Sequence, residues 1–397
     1  MGQHGQAIAR RKARGITSGL TDLCWDYPDD SAHKLRVRVH APLTGTSVCS
    51  RLPTELLSLV FSCVSSRDLA SVARTNSAFY ATAICVLYND LKSLSARQWI
   101  RCFHSLTKNT SLPPLVRSLD IDWQLLKPTH NLYRLLHTVL RSLTSLRLLH
   151  LDFPKHHSPT WLLDGCTFLL RSFTTSLHCK ASLARFLESQ PGIVELTLRG
   201  FQNCTSSMNP FHILSADIDF QPLSTDFELK PGALPSLALF NAVHAGPPVI
   251  RTVAGGRPVR AVSVPLFRRC TTETLDALTL TSGTIRRMSL ISFDPDAPAF
   301  LFAQLVERFP RLEALHVVLL MTECNLALLH STAAHLAKFK SLQYITFMAT
   351  MDTEEDVDER NVAKKWHAAC PTLKTIILPR GKVWFDAGTH SGWSCLG

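Results

Sequence analysis

Leu146-Arg147-Leu148-Leu149-His150-Leu151 sets apolar residues at its first, fourth and sixth positions. Read as an extended chain, the fourth and sixth share one face, and the residues between them turn to the other. The phrase recurs along most of the chain. Copies stand at Val116-Leu119-Ile121, Ile193-Leu196-Leu198, Leu237-Phe240-Ala242 and Val259-Val262-Val264, then at Ile285-Met288-Leu290, Leu312-Leu315-Val317, Leu342-Ile345-Phe347 and Leu373-Ile376-Leu378. A weaker copy lies at Leu170-Phe173-Thr175.

The middle apolar residues are spaced by 22 to 31 positions, with one interval of 44 between Leu196 and Phe240. That interval fits either a degenerate repeat or a long loop around 203–235. Helical stripes separate several phrases: Leu132, Leu135, Leu136, Val139, Leu140 and Leu143 form one, and Phe300, Leu301, Leu305 and Phe309 contribute to another. A strand and a helix per repeat, stacked on their neighbours, bury one continuous core. The spacing resembles that of irregular leucine-rich repeats. Arg199-Gly200 and Phe293-Asp294 stand where a regular repeat has asparagine. The expected fold is therefore α/β, with a solenoid of parallel strands and helices on its outer face over 95–385. An open α/β sheet of another kind is the alternative.

Period-two alternation turns Ser118, Asp120, Asp122, His150, Asp152, Glu195, Thr197 and Arg199 onto the face away from the core, followed by Asn241, Ser263, Arg287, Ser289, His316, Tyr344, Thr346 and Met348. Asp120, Asp122, His150, Asp152, Thr197 and Arg199 are the candidate binding residues of that face. The carboxylates among them suit a basic protein segment, and a solvated sheet face is the alternative. Asp352–Glu359 carries six carboxylates and reads as a solvated inter-repeat loop.

Upstream, Leu52 to Leu91 contains three short helical patterns. Leu52-Pro53 starts the first, with proline at the first helical position and Glu55 in the opening turn. Leu52, Leu56, Leu59, Val60 and Cys63 follow helical spacing, with Leu57 and Phe61 on the flank. Ser65-Ser66-Arg67-Asp68 caps the second helix, whose stripe is Leu69, Val72 and Ala73. Phe79, Tyr80, Ala83, Ile84, Leu87, Tyr88 and Leu91 form the third. Helices this short are expected to bury too little core of their own and to dock on a partner. An ordinary helical start to an α/β domain is the alternative.

At these residues the segment resembles the F-box, and specifically fungal-type members of that family. The family's Leu-Pro-x-Glu-Leu/Ile-Leu opening stands at Leu52 to Leu57, its apolar pair at Val60-Phe61, its Asp-Leu at Asp68-Leu69 and its closing Leu-Tyr at Leu87-Tyr88. Its frequent Cys-Arg/Lys-x-Trp element is replaced by Thr75-Asn76-Ser77-Ala78-Phe79, where Phe79 is the nearest aromatic. The resemblance implies an F-box over 49–94; residues 1–48 read as a flexible basic extension and 386–397 as a C-terminal tail. It also implies a substrate-recognition adaptor of an SCF-type cullin ubiquitin ligase. Leu52, Pro53, Leu56, Leu57, Val60, Phe61 and Leu69 would bind the Skp adaptor, and through it a cullin, in a protein-degradation pathway. The alternative is a non-catalytic repeat scaffold whose N-terminal helices only cap the solenoid.

Composition narrows the remaining classes. Twelve cysteines stand singly, with no C-x-x-C pair, which argues for reduced thiols and a cytoplasmic or nuclear setting. No secretory h-region and no membrane-spanning run occurs, so no membrane partner is expected. The net charge is +11, of which residues 1–50 supply +3, and aromatics do not cluster with the bases. The reading disfavours nucleic acid as a partner, although Arg10-Arg11-Lys12-Ala13-Arg14 resembles a nuclear signal. No nucleotide-cradling loop or hydrolase elbow is present. His150 with His156-His157 lacks metal-site spacing, and Cys179 and Cys270 are weak nucleophile candidates. No cofactor, metal or catalytic residue is expected, and the chain reads as a non-enzyme.

Overall fold

A computed structural model describes residues 52–154, 157–200, 226–351, 358–386 and 393–396. The chain divides into two compact units between Val116 and Arg117. In the first, helices α1 (Thr54–Ser62), α2 (Ser66–Val72) and α3 (Ser77–Asn89) follow one another through short capped turns. Pro53 precedes α1 instead of opening it; its carbonyl accepts from the Leu56 and Leu57 N–H groups at 3.1 Å. Ser65 Oγ accepts from Asp68 N at 3.2 Å, and Asn76 Oδ1 from Phe79 N at 2.8 Å. These caps satisfy donors that each helix start leaves open.

The expectation that these helices lack a core is overturned. Phe61, Leu69, Ala73 and Ala83 form a buried cluster, with Leu57, Val72, Phe79 and Leu87 packed against it. Phe79 meets Phe61 edge to face, the centroids 5.7 Å apart. A two-residue strand β1 (Asp90–Leu91) leads to α4 (Ala96–Lys108), which Ser95 and Gln98 start with a reciprocal capping box. The helix belongs to the first unit, although the sequence reading placed it after a boundary at 94.

The second unit is a solenoid-like stack built on one sheet. Its strands are β2 (Ser118–Asp122), β3 (Leu148–Asp152), β4 (Ser172–Thr175), β5 (Glu195–Leu198), β6 (Leu239–Ala242) and β7 (Ala261–Leu266). They continue through β8 (Arg287–Ser292), β9 (Ala314–Cys324), β10 (Tyr344–Met351), β11 (Thr375–Ile377), β12 (Val383–Asp386) and β13 (Trp393–Leu396). Strand order in the sheet follows chain order. Pairing is parallel from β2 to β11, then antiparallel for β12 and β13.

Register is set by the repeated phrase. Its middle residues form an unbroken ladder: Leu119, Leu149, Phe173, Leu196, Phe240, Val262, Met288, Leu315, Ile345 and Ile376 are paired neighbour to neighbour. All are buried. A one-residue slip at any pair would expose an entire apolar set, which pins every strand. The weaker copy is fully integrated: Thr175 is buried, and its Oγ1 accepts from Leu177 N at 3.0 Å. Strands β5 and β6 pair directly across the longest interval; residues 201–225 of their connection lie outside the described residues. A Cβ at Gly200 would collide with the Ser176 and Leu177 carbonyls, which excludes asparagine there.

Helices fill most crossovers: α5 (His130–Ser142), α6 (Ala181–Glu188), α7 (Pro247–Ala254), α8 (Thr271–Thr279), α9 (Leu301–Arg308), α10 (Leu326–Leu336) and α11 (Glu359–Ala369). From α7 onward each packs on the next. Trp366 is buried and donates from Nε1 to the Leu329 carbonyl at 2.7 Å, tying α11 to α10. Two expectations are corrected here. The 386–397 stretch contains β13, which pairs with β12 and is more than a tail. Within the acidic run, Glu359 is buried and accepts from Arg380 N at 2.9 Å, and Asp358 caps α11; Asp352 to Val357 lie outside the described residues.

Arg257 holds the end of α7. Its buried guanidinium donates to the carbonyls of Thr252 (2.6 Å), Gly255 (2.9 Å), Val253 (3.2 Å) and Ala233 (2.8 Å). These include carbonyls that a helix C-terminus leaves without partners. Arg257→Met is therefore expected to destabilise the second unit by about 1.5–3 kcal/mol. Urea unfolding checks this; an unchanged midpoint would mean that water replaces the guanidinium.

Candidate functional site

The two sets of sequence-predicted residues fall in different units, and each has its own geometry. On α1, the apolar residues separate into two faces. Phe61 and Leu69 are buried in the first unit's own core, and Leu57 packs against it. They were expected to contact a partner directly; helical phase turns Phe61 inward, and Leu69 closes the core from α2. The other face carries Leu56 at 48% exposure, Leu59 at 64% and Val60 at 56%; just ahead of the helix Leu52, at 45%, and Pro53 are also exposed. Leu59, the most exposed of these, lay outside the predicted contact set. Its position at i+3 from Leu56 was the available signal.

An apolar strip on one short helix is costly in water, at about 25 cal/mol per Å². On the helix Leu56, Leu59 and Val60 follow i, i+3 and i+4 spacing, and Leu52 stands just ahead of the Pro53 cap. Below it, Phe61 locks the helix through its ring contact with Phe79, so the strip is presented on a fixed support.

In the second unit, Asp120 of β2, Gln124 just after it, His150 and Asp152 of β3, and Arg199 just after β5 meet. Asp120 Oδ1 lies 2.6 Å from His150 Nδ1, and Arg199 Nη1 lies 2.9 Å from Asp152 Oδ2. Gln124 Nε2 donates to Asp152 Oδ2 at 2.6 Å, and Arg199 Nη1 is 3.3 Å from His150 Nε2. Asp152 was expected on the open face but is 2% exposed, because Arg199, His150 and Gln124 cover it. Asp120 is partly exposed and Asp122 exposed at the strand end, where its Oδ1 accepts from Gln124 N. Thr197 lies farther along the same row and accepts from Asn241 Nδ2 at 3.2 Å. The cluster is thus largely self-neutralised, with Asp120 and Asp122 as its outward carboxylates. Gln124 was not singled out from the sequence, and nothing in its local pattern marks it.

Both ionisable partners are shifted toward their charged forms. The Asp152 carboxylate, 3.8 Å from Nε2, pulls the His150 pKa up most; burial and Arg199 oppose this, and the Asp120 charge reinforces it. Burial pushes Asp152 up, but the nearby His150 imidazole, the hydrogen bond from Gln124 and the Arg199 charge hold it below its usual value. The raised His150 value stabilises the fold fully below its ordinary 6.5 and progressively less as pH rises through the folded value. The lowered Asp152 value stabilises above 3.8 and loses that share as pH falls through the folded value. The cluster is therefore strongest between about pH 4 and pH 6. His150→Gln is expected to cost more stability at pH 5.5 than at pH 8.5 in parallel urea titrations. Equal costs would show that the imidazole acts uncharged.

Elsewhere, no group of three or more His, Cys, Asp or Glu side chains is arranged to hold a metal ion among the described residues. His156 lies outside them. Cys179 is buried, and no described helix is long and apolar enough to cross a membrane. A family model described as F-box-like matches residues 49–92. No curated protein matches the chain.

Proposed function

We propose that the chain is a substrate-recognition adaptor of an SCF-type cullin ubiquitin ligase. The first unit docks on a Skp adaptor, and through it on a cullin; the second presents a target protein. One observation carries the reading: α1 leaves Leu56, Leu59 and Val60 exposed, with Leu52 exposed just ahead of it, while Phe61 and Leu69 complete a separate core. The F-box-like match over 49–92 supports the identity of the partner. A helix serving only as a solenoid cap would spend that strip on internal packing, so its exposure weighs against the scaffold alternative.

The docking set proposed here is Leu52, Pro53, Leu56, Leu59 and Val60, with Leu57, Phe61 and Leu69 holding those residues in place. In such an assembly the adaptor positions a target near ubiquitin-transfer machinery carried by other subunits, and this chain supplies proximity without chemistry. Asp120, Asp122, His150, Asp152, Thr197 and Arg199 are proposed as part of the target-facing surface, with Asp120 and Asp122 available to basic groups. The test is co-purification of a recombinant Skp adaptor with the full chain. Retention by the intact chain and loss after charge is placed on the α1 strip support the reading; no retention by the intact chain overturns it.

A further inference from the structure

A row of arginines runs along the strand-entry rim of the second unit. Arg117, Arg147 and Arg171 each stand one residue before β2, β3 and β4. Backbone hydrogen bonds fix their register: Arg147 N and Leu148 N donate to the Arg117 carbonyl at 2.8 and 3.0 Å. Arg171 N and Ser172 N donate to the Arg147 carbonyl at 2.7 and 3.2 Å. Val194 and Ala238 continue the row, followed by Arg260 and Arg286, where Arg286 N donates to the Arg260 carbonyl at 2.8 Å. All five arginines are exposed. With neighbouring strands about 4.8 Å apart, the first three leave the backbone within about 10 Å of one another.

Like charges on adjacent strands repel. Among the described residues no ion pair involves Arg117, Arg147 or Arg171, although Arg147 Nη1 donates to the Leu169 carbonyl at 2.9 Å. The same row shows what happens where a carboxylate joins it. Glu313 follows Arg286 in register and accepts from Arg286 Nη1 at 2.9 Å. We infer that Arg117, Arg147 and Arg171 form a docking surface for an Asp/Glu-rich segment of a partner protein. The guanidinium fork matches a carboxylate, and an extended peptide crossing the strands repeats same-side groups every ~6.8 Å, within reach of flexible arginine stems. One residue farther along each strand, Ser118, Leu148 and Ser172 supply no aromatic platform on which nucleic-acid bases stack. The surface uses none of the α1 strip, so it stands or falls independently of the adaptor reading.

The test titrates the full chain against a fluorescein-labelled peptide of alternating Glu and Ser, read by anisotropy at low salt. The intact chain is expected to bind. Arg117→Gln/Arg147→Gln/Arg171→Gln together should weaken binding about tenfold or more, given three charge contacts. A triple of equal charge change on helices, Arg134→Gln/Arg185→Gln/Arg251→Gln, should stay within about twofold. If the first triple fails to fold, Arg117→Gln/Arg171→Gln keeps the Arg147–Leu169 bond and should weaken binding about fivefold. Absence of binding by the intact chain, equal losses in both triples, or tighter binding of a single-stranded oligonucleotide of matched charge would each overturn the proposal.

Discussion

Leu56→Asp or Val60→Asp alone is expected to abolish retention of a Skp adaptor without changing the melting temperature of the chain. Both side chains are about half exposed in the isolated protein, so a carboxylate there remains hydrated and costs the fold almost nothing. In a covered interface the same carboxylate loses its water and gains no partner, at a cost of about 3–5 kcal/mol. That corresponds to a loss of more than a hundredfold in affinity. Phe61→Ala provides the contrast. It removes a buried ring and its edge-to-face partner, a loss of about 3–5 kcal/mol, and should abolish both folding of the first unit and retention. If Leu56→Asp and Val60→Asp retain the adaptor at full strength, the strip is not the docking face.

The difference between these variants also marks what the sequence could and could not reveal. Helical spacing put Leu56 and Val60 in one stripe, Phe61 on its flank and Leu69 in the next helix's stripe, and the F-box resemblance grouped all four as contacts. Which of them face inward depends on where α2 and α3 pack, a tertiary fact that periodicity does not carry. The repeat phrase behaved differently. Its fourth position predicts every rung from Leu119 to Ile376, because parallel neighbours with identical patterns have one register that buries all of them. Asp152 shows the limit of that logic. Alternation placed it on the open face, but Gln124 and Arg199 arrive from other strands' ends and cover it. Local pattern gave no sign of either contact. The Trp393–Leu396 strand was missed for a related reason: four residues beside a chain end carry too little period to separate a strand from a tail.

Phe240→Ala is expected to destabilise the second unit by about 3–5 kcal/mol. Its ring is fully buried, and in the sheet it stands between Leu196 and Val262, so truncation opens a cavity shared by successive repeats. In a stacked array each repeat is held mainly by its neighbours, and damage at one interface weakens the coupling of the segments on either side. Phe240 is also the rung that follows the longest sequence interval, so its interface with Leu196 must close the largest loop in the ladder. Hydrogen exchange should accordingly show lost protection in β5, β6 and β7 before β9 and β10. Ser263→Ala, on the half-buried polar face of β7, should change stability by no more than about 0.5 kcal/mol. Similar effects of the two substitutions would mean that the apolar ladder is not what holds the repeats together. A large loss confined to Phe240→Ala would locate the cohesion of the solenoid in the rungs already written in the repeated phrase.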